Sequence, residues 1–218
     1  MISLKKKPIP NILASNVKTW TDILLAHERN KTEPTLTEKS HYRHPHIKSV
    51  LVTETDGKCA YCESKLQHIS YGDVEHIVPK SKKTEKTFEW SNLTLACDIC
   101  NTNKSNHFGN HDDLVDPYCV EPSDHFNFVG ATVLPKPGSG PGMATETTIK
   151  LNRPELVERR TEKLLSLNKI LQLLVEVNDA GKRAIIRRDL ELNEQLSEKE
   201  YCAMSRVFIR QQLIEIDQ

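Results

Sequence analysis

The sequence predicts an α+β fold: a small strand–loop–strand–helix unit, clasped by two cysteine knuckles, embedded in a mostly helical chain. Three observations predict it. First, Cys59-Ala-Tyr-Cys62 and Cys97-Asp-Ile-Cys100 are Cys-x-x-Cys pairs with 34 residues between them, enough to hold structure of its own. Second, residues 73–79 alternate as a short strand does, and 90–96 read as the strand that returns beside it. Third, most of the chain outside it carries apolar residues at helical spacing.

Composition sets the frame. A chain of 218 residues with 37% hydrophobic and 28% charged residues is long enough for one or two domains with a real core, and is globular rather than disordered. It contains no apolar run of the length that spans a bilayer, so no membrane is expected. Residues 1–10 carry Lys5, Lys6 and Lys7 but no apolar core behind them, unlike a secretory signal, and the cytoplasm is the expected location. In that reducing compartment the six cysteines are not expected to pair as disulfides; Cys119 and Cys202, outside the knuckles, read as small buried hydrophobes. Net charge is zero, but 16 Lys/Arg against 12 Asp/Glu in residues 1–106 is reversed to 14 against 18 in residues 107–218. A basic front half suits a polyanion at that end.

In chain order, Val17, Trp20, Ile23, Leu24 and Ala26 predict a helix over 16–28, followed by a polar loop over 29–40. Pro45, at a first-turn position, opens a second helix with Ile47, Val50 and Leu51 on its buried face and Gly57 as its stop. The strand ending at Pro79, an exposed lysine-rich loop over 81–89, the returning strand 90–96 and a helix from Asp98 make up the central unit. Residues 109–148, rich in Pro and Gly, read as a connector with one hairpin at 126–133. A long helix follows over 154–180, and Ser197-Glu-Lys-Glu200 has the form of a capping box that opens a last helix. The resulting division is 1–57 helical, 58–108 core module, 109–152 connector and 153–218 helical.

Each knuckle brings two thiolates to one ion, and two knuckles make a closed four-cysteine site. Cys59, Cys62, Cys97 and Cys100 are therefore expected to hold a structural zinc. A redox role is the rival reading for either pair alone. Inside the insert, Glu75 and His76 sit at a strand end where a bend would bring both to one site. A histidine is the natural base at neutral pH, and Glu and Asn oxygens suit Mg²⁺ or Mn²⁺. Lys80 and Lys104 are candidate phosphate contacts; His107, His111, Asp113 and Asp116 are weaker polar candidates, more simply read as surface residues.

The runs Gly-Lys-Cys-Ala-Tyr-Cys-Glu, Glu-His-Ile-Val-Pro-Lys-Ser and Trp-Ser-Asn-Leu-Thr-Leu-Ala-Cys-Asp-Ile-Cys-Asn-Thr-Asn-Lys-Ser resemble the HNH endonucleases. That resemblance implies a ββα-metal (His-Me finger) module in which His76 is the general base. Glu75 and Asn101 would hold the catalytic Mg or Mn, and Asn92 would fix the loop that carries His76. Glu75 stands where many members have Asp or His, an oxygen ligand one methylene longer than Asp.

Looser runs on either side, Tyr-Arg-His-Pro-His-Ile-Lys at 42–48 and Leu-Val-Asp-Pro at 114–117 with the residues that follow, are similar to the HNH nucleases of retrons and of Septu antiphage systems. This narrower resemblance implies a nucleic-acid substrate and an ABC/AAA-type, PtuA-like ATPase partner, with a retron reverse transcriptase and its nucleic-acid product as further company. The alternative is a zinc-knuckle nucleic-acid-binding or adaptor protein without catalysis, which would not need Glu75, His76 and Asn101 together.

Overall fold

The computed structural model describes residues 1–66, 71–109 and 113–218. Strands β1 (Asp73–His76) and β2 (Leu93–Ala96) pair antiparallel, with Asp73 opposite Ala96 and His76 opposite Leu93. Helix α4 (Asp98–Lys104) follows directly, completing a ββα unit. Gly72, at φ +64°, leads into β1; the left-handed backbone there favours glycine, and a Cβ would also crowd the Leu66 side chain at 2.8 Å and that of Leu95 at 3.2 Å.

All four residues of β2 are buried, because both faces of this strand are covered. Helix α3 (Pro45–Glu54) lays Ile47 and Leu51 into the same core as Leu93 and Leu95, and α1 (Asn11–Asn30) adds Leu13 and Leu24. The N-terminal segment is strapped across β2 by Lys6. Its ammonium lies 4.2 Å and 4.4 Å from the ring centres of Trp90 and Tyr118, donates to Glu54 at 3.0 Å and also to the Leu93 carbonyl. Cation–π contacts and a buried carboxylate replace the water this ammonium gives up.

The remaining elements are α2 (Leu36–Ser40), the hairpin β3 (Phe126–Val129) and β4 (Thr132–Pro135), α5 (Gly140–Ile149), α6 (Pro154–Glu176), α7 (Ala180–Arg188) and α8 (Cys202–Ile216). Helix α6 links two cores. Leu156 belongs to the large one around the ββα unit, whereas Leu167, Leu171 and Leu174 pack with Leu190, Ile209 and Leu213 in a second. No helix among the described residues is long and apolar enough to cross a membrane.

Several local expectations change. Residues 36–40 form a helix rather than loop, because Thr35 and Glu38 make a capping box there. The one at 197–200 does not form: Lys58 takes the Ser197 carbonyl, Glu200 accepts from the Lys65 amide at 2.9 Å, and α8 begins only at Cys202. Residues 140–149 are helical, capped by Ser139 with Pro141 in the first turn. The long C-terminal helix breaks after Glu176 and restarts at Ala180 under the Asp179 cap, so Gly181 lies inside α7. Cys119 is exposed, contrary to expectation, whereas Cys202 is buried with its Sγ 3.0 Å from Glu63.

Candidate active site and metal centre

The four knuckle cysteines converge. Their Sγ atoms lie within 4.8 Å of one another and all four residues are buried. Sulfurs around a tetrahedral zinc stand about 3.8 Å apart, given a Zn–S bond of about 2.3 Å, and the Cys62–Cys97 separation is 3.9 Å. Local geometry makes the convergence. In the first knuckle the Cys59 amide donates to Ser64 and the Glu63 amide to Cys59, with Glu63 at φ +65° tightening the turn. In the second, Cys97 caps α4 and its sulfur accepts from the Cys100 amide at 3.3 Å. Arg153 brings N–H groups to within 3.7 Å of the Cys100 sulfur and 4.0 Å of the Cys97 sulfur, a cation placed to offset thiolate charge. An all-sulfur, buried, closed donor set fits a structural metal.

A separate cleft of about 580 Å³ opens over β1 and α4. Glu75, His76, Asn101 and Lys80 all line it, together with Tyr42, Arg43, Lys48 and Asp73, four residues outside the set expected from the sequence. Although Glu75 and His76 point to opposite sides of the strand, β1 ends at His76 and both border this one space.

His76 is held from three directions. Its Nε2 lies 3.0 Å from the Thr87 carbonyl oxygen, its ring meets the Tyr42 ring edge-on at 4.5 Å, and its own carbonyl accepts from Lys104 at 2.8 Å. A carbonyl only accepts, so Nε2 carries the proton and Nδ1 holds the free lone pair. Burial, reinforced by Lys80, Lys104 and Arg43 and only partly opposed by the Thr87 carbonyl, lowers the imidazole pKa to about 4. The ring is therefore neutral, in one tautomer, well below neutral pH.

Asn92 ties down the segment after His76. Its Oδ1 accepts from the Val78 amide at 2.7 Å, and its Nδ2 donates to the carbonyls of Val78 and Lys86, each at 3.0 Å. With the Ile77 amide bonded to the Asn92 carbonyl, both ends of the 77–87 loop are anchored on one buried residue.

Lys104 differs from expectation. It is 2% exposed, with its ammonium 2.7 Å from Glu75, so it is not available to a phosphate. One turn past Asn101 on α4 it faces inward, and a buried ammonium needs the carboxylate and carbonyl it has found. Burial raises the Glu75 carboxyl pKa and Lys104 works against that shift. Lys80 remains exposed at the rim, donating to the Tyr42 hydroxyl at 2.8 Å. Asn101, at the exposed end of the site, donates from Nδ2 to Asp73 Oδ2 at 2.9 Å. The signal that could have found Asp73 is its position two residues before Glu75, on the same strand face; Tyr42, Arg43 and Lys48 come from distant sequence and carry no such mark. His107, Asp113 and Asp116 border a small second cavity rather than this cleft, and His111 lies outside the described residues.

A ββα unit with paired knuckles and a histidine–carboxylate–amide cleft defines a class of nuclease module. Residues 59–107 match the profile of the HNH endonucleases, and an HNH endonuclease domain occupies that segment. Among known proteins the chain is similar to the Septu protein PtuB of Bacillus thuringiensis, 35% identical over 88 residues that cover 38% of this chain and 34% of that protein. It is also similar to the Septu protein PtuB of Bacillus mycoides (strain KBAB4), 26% identical over 196 residues that cover 74% of this chain and 66% of that protein. The chain thus spans about a third of one relative and just under two thirds of the other.

Proposed function

We propose that the chain is a metal-dependent endonuclease that hydrolyses nucleic-acid phosphodiester bonds, working as the nuclease of a Septu-type antiphage system. The observation that supports it best is the placement of His76: its Nε2 is 3.0 Å from the Thr87 carbonyl oxygen, and it lines, with Glu75 and Asn101, a cleft whose rim carries Arg43, Lys48 and Lys80. His76 takes the proton of the attacking water at Nδ1, and the Thr87 carbonyl stabilises the charged imidazolium that results. Lys80, Arg43 and Lys48 hold the phosphate backbone of DNA or RNA at the rim. Glu75 and Asn101 are the oxygen ligands for Mg²⁺ or Mn²⁺, which when bound supplies Lewis-acid stabilisation of the phosphate and leaving oxygen. Asn92 keeps His76 in register, and a zinc in Cys59, Cys62, Cys97 and Cys100 braces the base of the unit. Lys104 is a positioning residue in this reading, fixing the Glu75 carboxylate and the His76 backbone together.

The division of labour follows the chain. Module 58–108 carries the chemistry, 1–57 supplies the Tyr42–Arg43–Lys48 wall, 109–152 connects, and 153–218 offers the surface for a PtuA-like ATPase of the ABC/AAA type. That last assignment rests on the likeness to the PtuB proteins and on exposed Leu165, Leu173, Val175 and Ile185. A retron reverse transcriptase with its nucleic-acid product extends the assembly in retron-linked systems, and the setting is the cytoplasm.

The test is cleavage by the purified chain, with its ATPase partner added, of plasmid DNA and of RNA in Mg²⁺, Mn²⁺ or chelator. Cutting is expected only with the divalent ion, and His76→Ala should lower it by about 10²–10⁴-fold while the protein stays folded. Unchanged cutting by His76→Ala would leave an adaptor or binding role instead.

A further inference from the structure

An asparagine side chain serves a cation in only one of its two orientations. One way up it presents an oxygen lone pair; the other way it presents N–H donors, which a cation repels. In this cleft the choice is made by Asp73. Its Oδ2 lies 2.9 Å from Asn101 Nδ2, and an ionised carboxylate can only accept, so the –NH₂ must face Asp73. The amide is planar, which sends Oδ1 to the side away from Asp73. Asp73 is itself firmly placed: Gly72 packs its backbone against Leu66 and Leu95, and the strand pairs Asp73 with Ala96.

We propose that Asp73 is a positioning residue for the divalent-ion site, locking the Asn101 amide with its oxygen toward the ion. The inference rests on the reading of Asn101 as an ion ligand. A plain strand-to-helix tie would also produce the observed hydrogen bond; what separates the two is ion affinity, which a tie would not move.

The measurement is Mn²⁺ binding by the intact protein without nucleic acid, read from the electron paramagnetic resonance of free Mn²⁺, beside the thermal unfolding midpoint. Asp73→Asn preserves shape but lets the Asn101 amide sit either way up, and is expected to weaken Mn²⁺ binding by about 10–100-fold, as loss of an outer-shell partner does. The midpoint should not move, because Asp73 is exposed. Combining Asp73→Asn with Asn101→Asp should restore affinity to within a few-fold of wild type, since a carboxylate at 101 offers oxygen in either orientation. Wild-type affinity in Asp73→Asn, where Asn101→Ala has lost binding, overturns the proposal and leaves the ligand reading standing. A combined variant as weak as Asp73→Asn also overturns it and makes Asp73 itself a ligand. Wild-type affinity in Asn101→Ala removes the ligand reading and this inference with it.

Discussion

The cysteine cluster and the histidine cleft share one ββα unit and are built on different principles. The cluster takes four identical donors, each buried, converging from a tight turn and from the N-terminus of α4. Sulfur has no wrong way up, so bringing the knuckles together is enough to make the site. The cleft is assembled from unlike groups, each useful in only one state: His76 as one tautomer, Asn101 as one flip, Glu75 as a carboxylate beside an ammonium. Those states are selected by Thr87, Asp73 and Lys104, none of which is expected to perform the central chemistry. A closed site of like donors needs only convergence; a cleft of unlike groups depends on its supporting contacts.

The largest effect is expected at the cluster. Cys59→Ser should release the bound zinc and unfold the core, because a closed structural site contributes folding energy outright. Metal content by mass spectrometry together with circular dichroism checks this, and a folded, zinc-replete variant would end the bracing role.

At the cleft, Lys104→Met leaves the buried Glu75 carboxylate without its partner and should destabilise the protein by about 3–5 kcal/mol, as loss of one member of a buried pair does. Denaturant unfolding measures it. A change under about 1 kcal/mol, the scale of an exposed pair, would show that water reaches this site.

The mildest effect is expected in the pH dependence that His76 imposes. If His76 is the base proposed above, its unprotonated form does the work, and burial puts its pKa at about 4 rather than the ordinary 6.5. Activity should be full at neutral pH, with an acid limb below the ordinary imidazole value; Glu75, whose carboxyl pKa burial raises, is protonated before His76 is charged near 4. An acid limb of kcat/KM centred near 6.5 would mean that the ring is solvated in the free protein.

Much of the ββα unit is legible in the amino-acid sequence. The paired knuckles, the two short strands and the helix between Cys97 and Ser105 all follow from spacing and alternation, which are local properties. Lys104 departs from its local pattern for a physical reason: a lysine one turn from an exposed amide looks solvent-facing unless the acid across β1 is known to meet it. Capping at 197–200 fails likewise, because the backbone amide of Lys65, 135 residues away, takes the Glu200 carboxylate that would have closed the box.

What the sequence determined by itself is the inventory: four thiols in two tight turns, and an acid, an imidazole and two amides at set places on a ββα frame. Such features depend on neighbours within a few residues, where covalent geometry already limits the outcome. Only the tertiary structure decided which nitrogen of His76 is free, which atom of Asn101 faces Asp73, and that Lys104 lies inside. Each of these depends on hydrogen-bond partners brought together across 11 to 28 residues of intervening chain, and no local pattern encodes the direction in which a donor will find its acceptor.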